Sequence, residues 1–203
     1  PEPSERIHAE GHEIQHHGWS HTRPGEYESR EAERADIERG IESVERVTGS
    51  TPTGYRSPSW DFSEHTRELL AEFGFEWDSS EMARDFEPYR MRDDDAPVDG
   101  PYSRGEAYDI VELPVSWHRD DYPPLAYSSG KGFADEAAVY DGWREQFDWM
   151  YDNVDGGVFT LTMHPQVSGQ SHRVSRLNDL IHHAKSRPGV EFATLSTVAE
   201  RVA

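Results

Sequence analysis

At 203 residues the chain is long enough to bury roughly 70% of its unfolded surface in one core, and six Trp, nine Tyr and eight Phe spread along it argue for a packed interior despite only 34% hydrophobic content. A net charge of −20, from 40 acidic and 20 basic residues, works against nucleic acid and anionic membranes as partners. The absence of cysteine excludes disulfides and thiolate chemistry.

Only two of the basic residues are lysines, Lys131 and Lys185. An acidic surface so poor in lysine is expected of a salt-adapted cytosol, where screening shortens charge repulsion. No apolar run approaches a membrane span and no signal segment precedes the first residue, so a cytoplasmic location is expected. A homo-oligomer is left open.

In chain order, residues 4–10 read as the last turns of a helix closed by Gly11, so the chain begins inside a structural unit and an N-terminal portion is expected to be missing. A short strand then runs into a histidine-rich turn, Gly11-His12-Glu13-Ile14-Gln15-His16-His17-Gly18-Trp19-Ser20-His21. Residues 29–48 place Ile37, Ile41, Val44 and Val47 on one helical face, ended by Gly49. Residues 54–57 are extended and stopped by Pro58; Ser63 then caps a helix carrying Leu69, Leu70 and Phe73, ended by Gly74. A strand at 75–78 precedes a polar, loop-like stretch over 79–108, in which the charged run 92–95 reads as solvated.

Residues 109–117 form a strand with Val111, Leu113 and Val115, followed by a second irregular stretch to 133. Val139, Trp143, Phe147 and Met150 mark a helical stripe, and 157–163 is the most strand-like run, ended by His164-Pro165. Val174, Leu177, Ile181 and Ala184 mark another helix, 190–194 a last strand, and a final helix starts at Ser196. Six strands alternating with helices predict a parallel sheet with helices outside, an α/β fold, in a single domain over residues 1–203. A (β/α) barrel needs more strands, which the missing N-terminal portion would supply.

His17 and His21 are four apart and, on one face of a helical turn after Gly18, could bind one divalent ion. Spacing alone is a weak signal, since His12 and His16 share it. Stronger is that His17, His21, Arg56, Asp78, the stretch from Trp117 to Asp121, and His164 all fall at or just past the C-terminal ends of predicted strands, the active face of a parallel barrel. A metal-centred site is the reading.

These residues resemble a known family. His17-Gly18-Trp19-Ser20-His21 looks like the histidine motif of NodB-type polysaccharide deacetylases, and Tyr55-Arg56-Ser57-Pro58-Ser59-Trp60 resembles their arginine motif. Asp78-Ser79-Ser80, Glu112-Leu113-Pro114-Val115-Ser116-Trp117 with Asp120-Asp121, and Leu161-Thr162-Met163-His164-Pro165-Gln166 are similar to the later motifs. The forms resemble the intracellular branch holding peptidoglycan-deacetylase-like proteins, cyclic imide hydrolases and an allantoinase.

The resemblance implies a deformed (β/α) barrel, here lacking its N-terminal strand or strands. It also implies hydrolysis of a carbon–nitrogen bond that is not a peptide bond, in an N-acetylated sugar or a cyclic amide. The family's metal site is aspartate-histidine-histidine, commonly with zinc and sometimes cobalt, nickel or iron. One departure is plain: the family's first motif, an aspartate pair supplying a ligand and the general base, has no counterpart here.

On this reading His17 and His21 are metal ligands through neutral imidazole nitrogens, and His164 is the general acid that protonates the departing nitrogen. Arg56 would orient the aspartate that this sequence lacks. Trp60 and Trp117 would wall a pocket for a small-molecule or carbohydrate substrate; Asp120 and Asp121 would reach substrate or organise His164. Asp78 is expected either to join the site or to serve structure by bonding the next loop, and His12, His16, His65, His172, His182 and His183 are assigned no chemistry, with His182 and His183 facing solvent and His172 lying beside the final motif. The rival from another class is a non-catalytic remnant that binds a carbohydrate or a partner chain.

Overall fold

A computed structural model describes residues 2–93, 100–127 and 133–202. Among these, helices are α1 (Glu2–Ala9), α2 (Arg30–Thr48), α3 (Thr66–Glu72), α4 (Tyr122–Leu125), α5 (Glu136–Asn153), α6 (Pro165–Ser168), α7 (Ser171–Lys185) and α8 (Leu195–Val202). The strands are β1 (Gly54–Tyr55), β2 (Trp77–Asp78), β3 (Tyr89–Arg92) and β4 (Ala107–Glu112), in the order β1-β2-β4-β3. Pairing is parallel for β1/β2 and β2/β4 and antiparallel for β3/β4. The result is a mixed α/β fold with a parallel-rich sheet. The chain divides into two compact units, one of Pro1–Glu81, Pro88–Leu113 and Ala193–Ala203, the other of Met82–Glu87 and Pro114–Phe192.

The first unit contains the sheet. Helix α2 starts where the Ser29 hydroxyl accepts from the Ala32 amide (3.2 Å) and stops at Gly49, whose φ of 75° favours a residue without Cβ. Its buried face carries Ile37 and Val44, as the periodicity predicts, but also Glu33, Asp36 and Gly40. Glu33 accepts from the hydroxyls of Ser63 (2.5 Å) and Thr66 (2.6 Å), so this buried acid ties α2 to the start of α3. Ser63 is not the helix cap: α3 begins at Thr66 with His65 before it, and the Ser63 hydroxyl accepts from the His65 amide. Ile37, Tyr55, Leu69, Leu70, Phe75, Met91 and Ile110 form one core, and Trp77, Val111, Leu113 and Ala199 of α8 a second.

The stretch over 79–108 is not wholly loop, because Met91 points into the core while Arg90 pairs outward with Asp109 (2.7 Å), the alternation of a strand. From the charged run, Arg92 lies in β3 and donates to the Gly105 carbonyl (2.5 Å); Asp94 and Asp95 lie outside the described residues. The expected strand ahead of the histidine turn contracts to one residue, His16, bridged to Tyr55.

In the second unit α5 presents Tyr140, Trp143, Phe147 and Met150 to its cores. From α7 the buried residues are Arg173, Leu180 and Ala184, while Val174 is exposed. His183, expected in solvent, bonds Asp148 (2.7 Å), which also takes Arg187 (2.8 Å), and so links α5 to α7. The predicted strand at 157–163 is only a bridge, Asp120 to Thr162. Its hydrogen bonds go to three different segments: Val158 N–H to the Phe86 carbonyl, the Thr160 hydroxyl to Pro114, and Thr162 N–H to Arg119. No single neighbour is left to form a ladder. Residues 190–194 likewise form no strand, so among the described residues three of the six expected strands form, two contract to bridges, one is absent, and β3 arises from the expected loop.

Candidate active site

In the first unit the sequence after His16 turns sharply. Gly18 adopts φ 70°, and a Cβ there would meet Pro58 at 2.9 Å. This is not the helical turn inferred from the spacing of the histidines: His21 itself has a left-handed φ of 56°, which costs a side-chain-bearing residue about 1–2 kcal/mol. The turn nevertheless brings the His17 and His21 rings to a centroid distance of 5.0 Å at 78°. Two imidazoles bound to one tetrahedral ion through bonds of about 2.0–2.1 Å would sit with centroids roughly 5 Å apart. His17 Nδ1 lies 2.6 Å from the Arg56 carbonyl, which can only accept, so Nδ1 carries the proton and Nε2 the lone pair. A carbonyl that fixes the tautomer in this way is the usual outer partner of a metal-ligating histidine. The pair fits a divalent ion.

Two residues without an assigned role in the sequence build this turn. Asp36, on α2, accepts from the amides of Trp19 (2.8 Å) and Ser20 (3.1 Å), between the two histidines. His16 is buried; its Nε2 donates to the Ile37 carbonyl (3.0 Å) and its Nδ1 accepts from Gly18 (3.1 Å). That pattern describes a neutral ring, and burial, its largest influence, lowers its pKa. The sequence did carry a signal for Asp36: it falls on the same helical stripe as Ile37 and Val44, where an acid must find donors.

Arg56 follows β1. Its Nε donates to the Ser79 carbonyl (2.8 Å) and its Nη2 to the Ser79 hydroxyl (2.7 Å). Just beyond it Ser59 and Trp60 both have left-handed backbones, φ 58° and 54°. Strain of this kind persists where the surroundings over-determine it and is concentrated at functional sites. Trp60 is half-buried. Asp78 is fully buried on β2 and accepts from the Ser80 amide and hydroxyl, both 2.8 Å, as the structural expectation had it.

The second unit holds the other candidates. His164 caps α6, and its Nδ1 lies 2.6 Å from Asp121 Oδ1. Asp121 Oδ2 accepts from the His164 amide (2.9 Å) and the Ser168 hydroxyl (2.5 Å). Asp120 Oδ1 accepts from the Tyr122 amide (2.6 Å), and the Tyr122 ring lies 5.3 Å from that of His164. Possible ligand atoms of Asp120, Asp121 and His164 lie within 4.8 Å of one another. Even so, three N–H and O–H donors already occupy the Asp121 oxygens, which describes a carboxylate orienting an imidazole. Asp121 thus bonds both the ring and the amide of His164. Trp117 is 46% exposed, beside this dyad in sequence. Arg119 is buried, paired with Asp85 (2.7 Å) and set over the Phe86 ring at 4.3 Å, anchoring the segment that leads into Asp120. Sequence reasoning missed Ser168 and Tyr122; neither stands out by spacing.

Known proteins share this arrangement of sequence and fold. The polysaccharide deacetylase family model matches residues 1–77. The peptidoglycan deacetylase of Helicobacter pylori is 34% identical over 205 residues, covering 94% of this chain and 70% of that protein. The chain belongs to the polysaccharide deacetylase family. The crystal structure of a polysaccharide deacetylase candidate from Mycobacterium smegmatis superposes with a TM-score of 0.82 at 37% identity, over 100% of this chain and 66% of that one. An allantoinase, PuuE, shares the fold at a TM-score of 0.79 and 22% identity, over 98% and 62%. The chain thus carries the family's (β/α)-barrel type of fold and spans about two thirds of these relatives.

Proposed function

We propose that this deacetylase-family chain acts as a metal-dependent hydrolase of a carbon–nitrogen bond other than a peptide bond, with residues 1–203 as one catalytic domain. The observation that carries the reading is the His17–His21 pair, with ring spacing and tautomer suited to one divalent ion. That ion, zinc before cobalt, nickel or iron, supplies Lewis acidity to the substrate carbonyl and to the attacking water. His164 gives a proton from Nε2 to the departing nitrogen as the carbon–nitrogen bond breaks, while Asp121 holds the ring through Nδ1. Arg56 would orient the aspartate of the first motif in a longer version of the chain; Trp60, Trp117 and Asp120 contact the substrate.

The name of the 34% identical relative favours an N-acetylated amino sugar over a cyclic amide as substrate. The charge favours a salt-adapted, cytoplasmic protein that avoids nucleic acid and membrane surfaces, and among the described residues no helix is long and apolar enough to cross a membrane. A non-catalytic role, binding a carbohydrate or a partner chain, is the second reading.

Calorimetric zinc titration together with acetate release from an N-acetylglucosamine oligomer tests both readings. In a longer version carrying the first motif the hydrolase reading expects zinc to bind and acetate to appear, and both to fail in His21→Ala, whereas the 203-residue chain alone should release no detectable acetate. Oligomer binding by that longer version without acetate release, with or without zinc, supports the second reading. We further expect the 203-residue chain to bind zinc more weakly than a longer version carrying the first motif. Equal affinity would mean a third ligand lies within the chain.

A further inference from the structure

Asp78 and Glu112 are register partners across the parallel pair β2/β4, and both side chains are fully buried. One backbone amide, that of Ser80, lies 2.8 Å from an Asp78 oxygen and 3.0 Å from Glu112 Oε1, so the two carboxyl groups meet at a shared donor. Glu112 Oε1 also accepts from the Glu81 amide (3.0 Å), whereas Glu112 Oε2 is buried with no acceptor-type bond of its own. Two buried carboxylates side by side cannot both ionise at modest cost. A proton on Oε2, donated to Asp78, would satisfy that atom and remove the repulsion.

This acid pair also reaches the arginine motif. The Ser80 hydroxyl donates to Asp78 (2.8 Å) and accepts from the Ser57 amide (2.8 Å), immediately after Arg56. Ser79, between them in sequence, takes the Arg56 guanidinium and donates its own hydroxyl to Leu113 (2.7 Å), immediately after Glu112. We propose that Glu112 keeps a proton at neutral pH, donates it to Asp78, and is thereby a positioning residue for Arg56. This rests on the reading above for the part Arg56 plays in turnover.

Burial first, then the Asp78 charge, pushes the Glu112 carboxyl well above its ordinary value, and burial pushes Asp78 up to about 6. Besides each other, the carboxyl group that bears on both is Glu81, itself paired with Arg67. The guanidinium of Arg56, which follows β1, is directed at Ser79. A folded state that keeps a proton the unfolded chain releases near pH 4.5 has the pair's full contribution at acid pH and loses it as pH rises through the folded value.

Infrared spectroscopy of the wild-type protein at pH 7 is the direct test, and a hydrogen-bonded carboxylic acid band that resists titration is expected. Its absence overturns the proposal outright. Glu112→Gln keeps an amide donor toward Asp78, so it should lose the band, retain kcat and show less loss of stability than wild type between pH 5 and 8. Asp78→Asn takes away an acceptor that Ser80 needs and should lower kcat at least tenfold with zinc affinity unchanged. If Glu112→Gln loses turnover as Asp78→Asn does, the proton is not on Glu112. Arg56→Lys separates the two claims: full turnover in that variant removes Arg56 from the reaction while the carboxylic acid band still decides the state of the pair.

Discussion

At the scale of single residues the second unit turns on which groups His164 touches. Its Nδ1 is committed to Asp121 and so leaves Nε2 for chemistry, hence His164→Ala should lower turnover by about 10²–10⁴-fold while zinc affinity stays the same. A parallel fall in zinc affinity would mean that Asp120, Asp121 and His164 hold the ion. Ser168→Ala removes one of three donors on a buried carboxylate, where such a bond is worth about 1.5–3 kcal/mol. Denaturant titration should show a loss of that size, with a smaller drop in turnover than in His164→Ala, because the imidazole keeps its bond to Asp121. His164 was legible in the sequence since a histidine before proline at a strand end announces itself. Asp121 was legible only as one of two options, and Ser168 not at all: each is brought to His164 by folding, and no spacing rule encodes a contact 43 residues apart.

At the scale of elements, helices were legible and strands less so, for a physical reason. The stripe Val139, Trp143, Phe147, Met150 satisfies its backbone within its own segment, so local periodicity is enough to specify α5. A strand needs a neighbour: residues 157–163 have the composition but give their hydrogen bonds to Phe86, Pro114 and Arg119, and β3 emerged from a polar stretch only because Met91 finds the core. Helix α2 shows how an element builds a site. In an exposed helix Gly→Ala stabilises by about 0.8–1.0 kcal/mol, but a Cβ on Gly40 would lie 1.9 Å from His16 Nε2. The clash outweighs the propensity, since overpacking costs typically 1–3 kcal/mol. Gly40→Ala should therefore lower the melting temperature and weaken zinc binding together, through the displaced His16 and the turn it holds. Asp36→Asn, which replaces one amide-accepting oxygen by a donor, should weaken zinc binding by about 10–100-fold with helix content unchanged by circular dichroism. Unaltered affinity in both variants would show that the turn closes without α2.

At the scale of the whole molecule the charge surplus is the dominant fact. Ion pairs such as Arg6–Glu10, Arg84–Glu87 and Arg144–Asp141 are exposed at both ends, and pairs of that kind contribute about 0–1 kcal/mol each. They cannot offset a net charge of −20 spread over 203 residues. Salt acts on these two terms with opposite signs: screening weakens the exposed pairs slightly and removes repulsion among the unpaired acids. The second effect is larger, because repulsion sums over many acids while each pair acts alone, and the Debye length falls from about 10 Å at 0.1 M to 3 Å at 1 M. The melting temperature should therefore rise steeply between 0.1 and 1 M potassium chloride at pH 7, and most of that rise should already be present at low salt near pH 5, close to the sequence pI of about 4.8, where protonated histidines together with a few neutralised carboxylates cancel most of the surplus. Chloride is the appropriate anion, since sulfate would strengthen apolar burial in any protein and blur the cause. A melting temperature that is flat across the chloride series would show that self-repulsion does not limit stability, and the salt-adapted reading of the acidic, lysine-poor surface would fall with it.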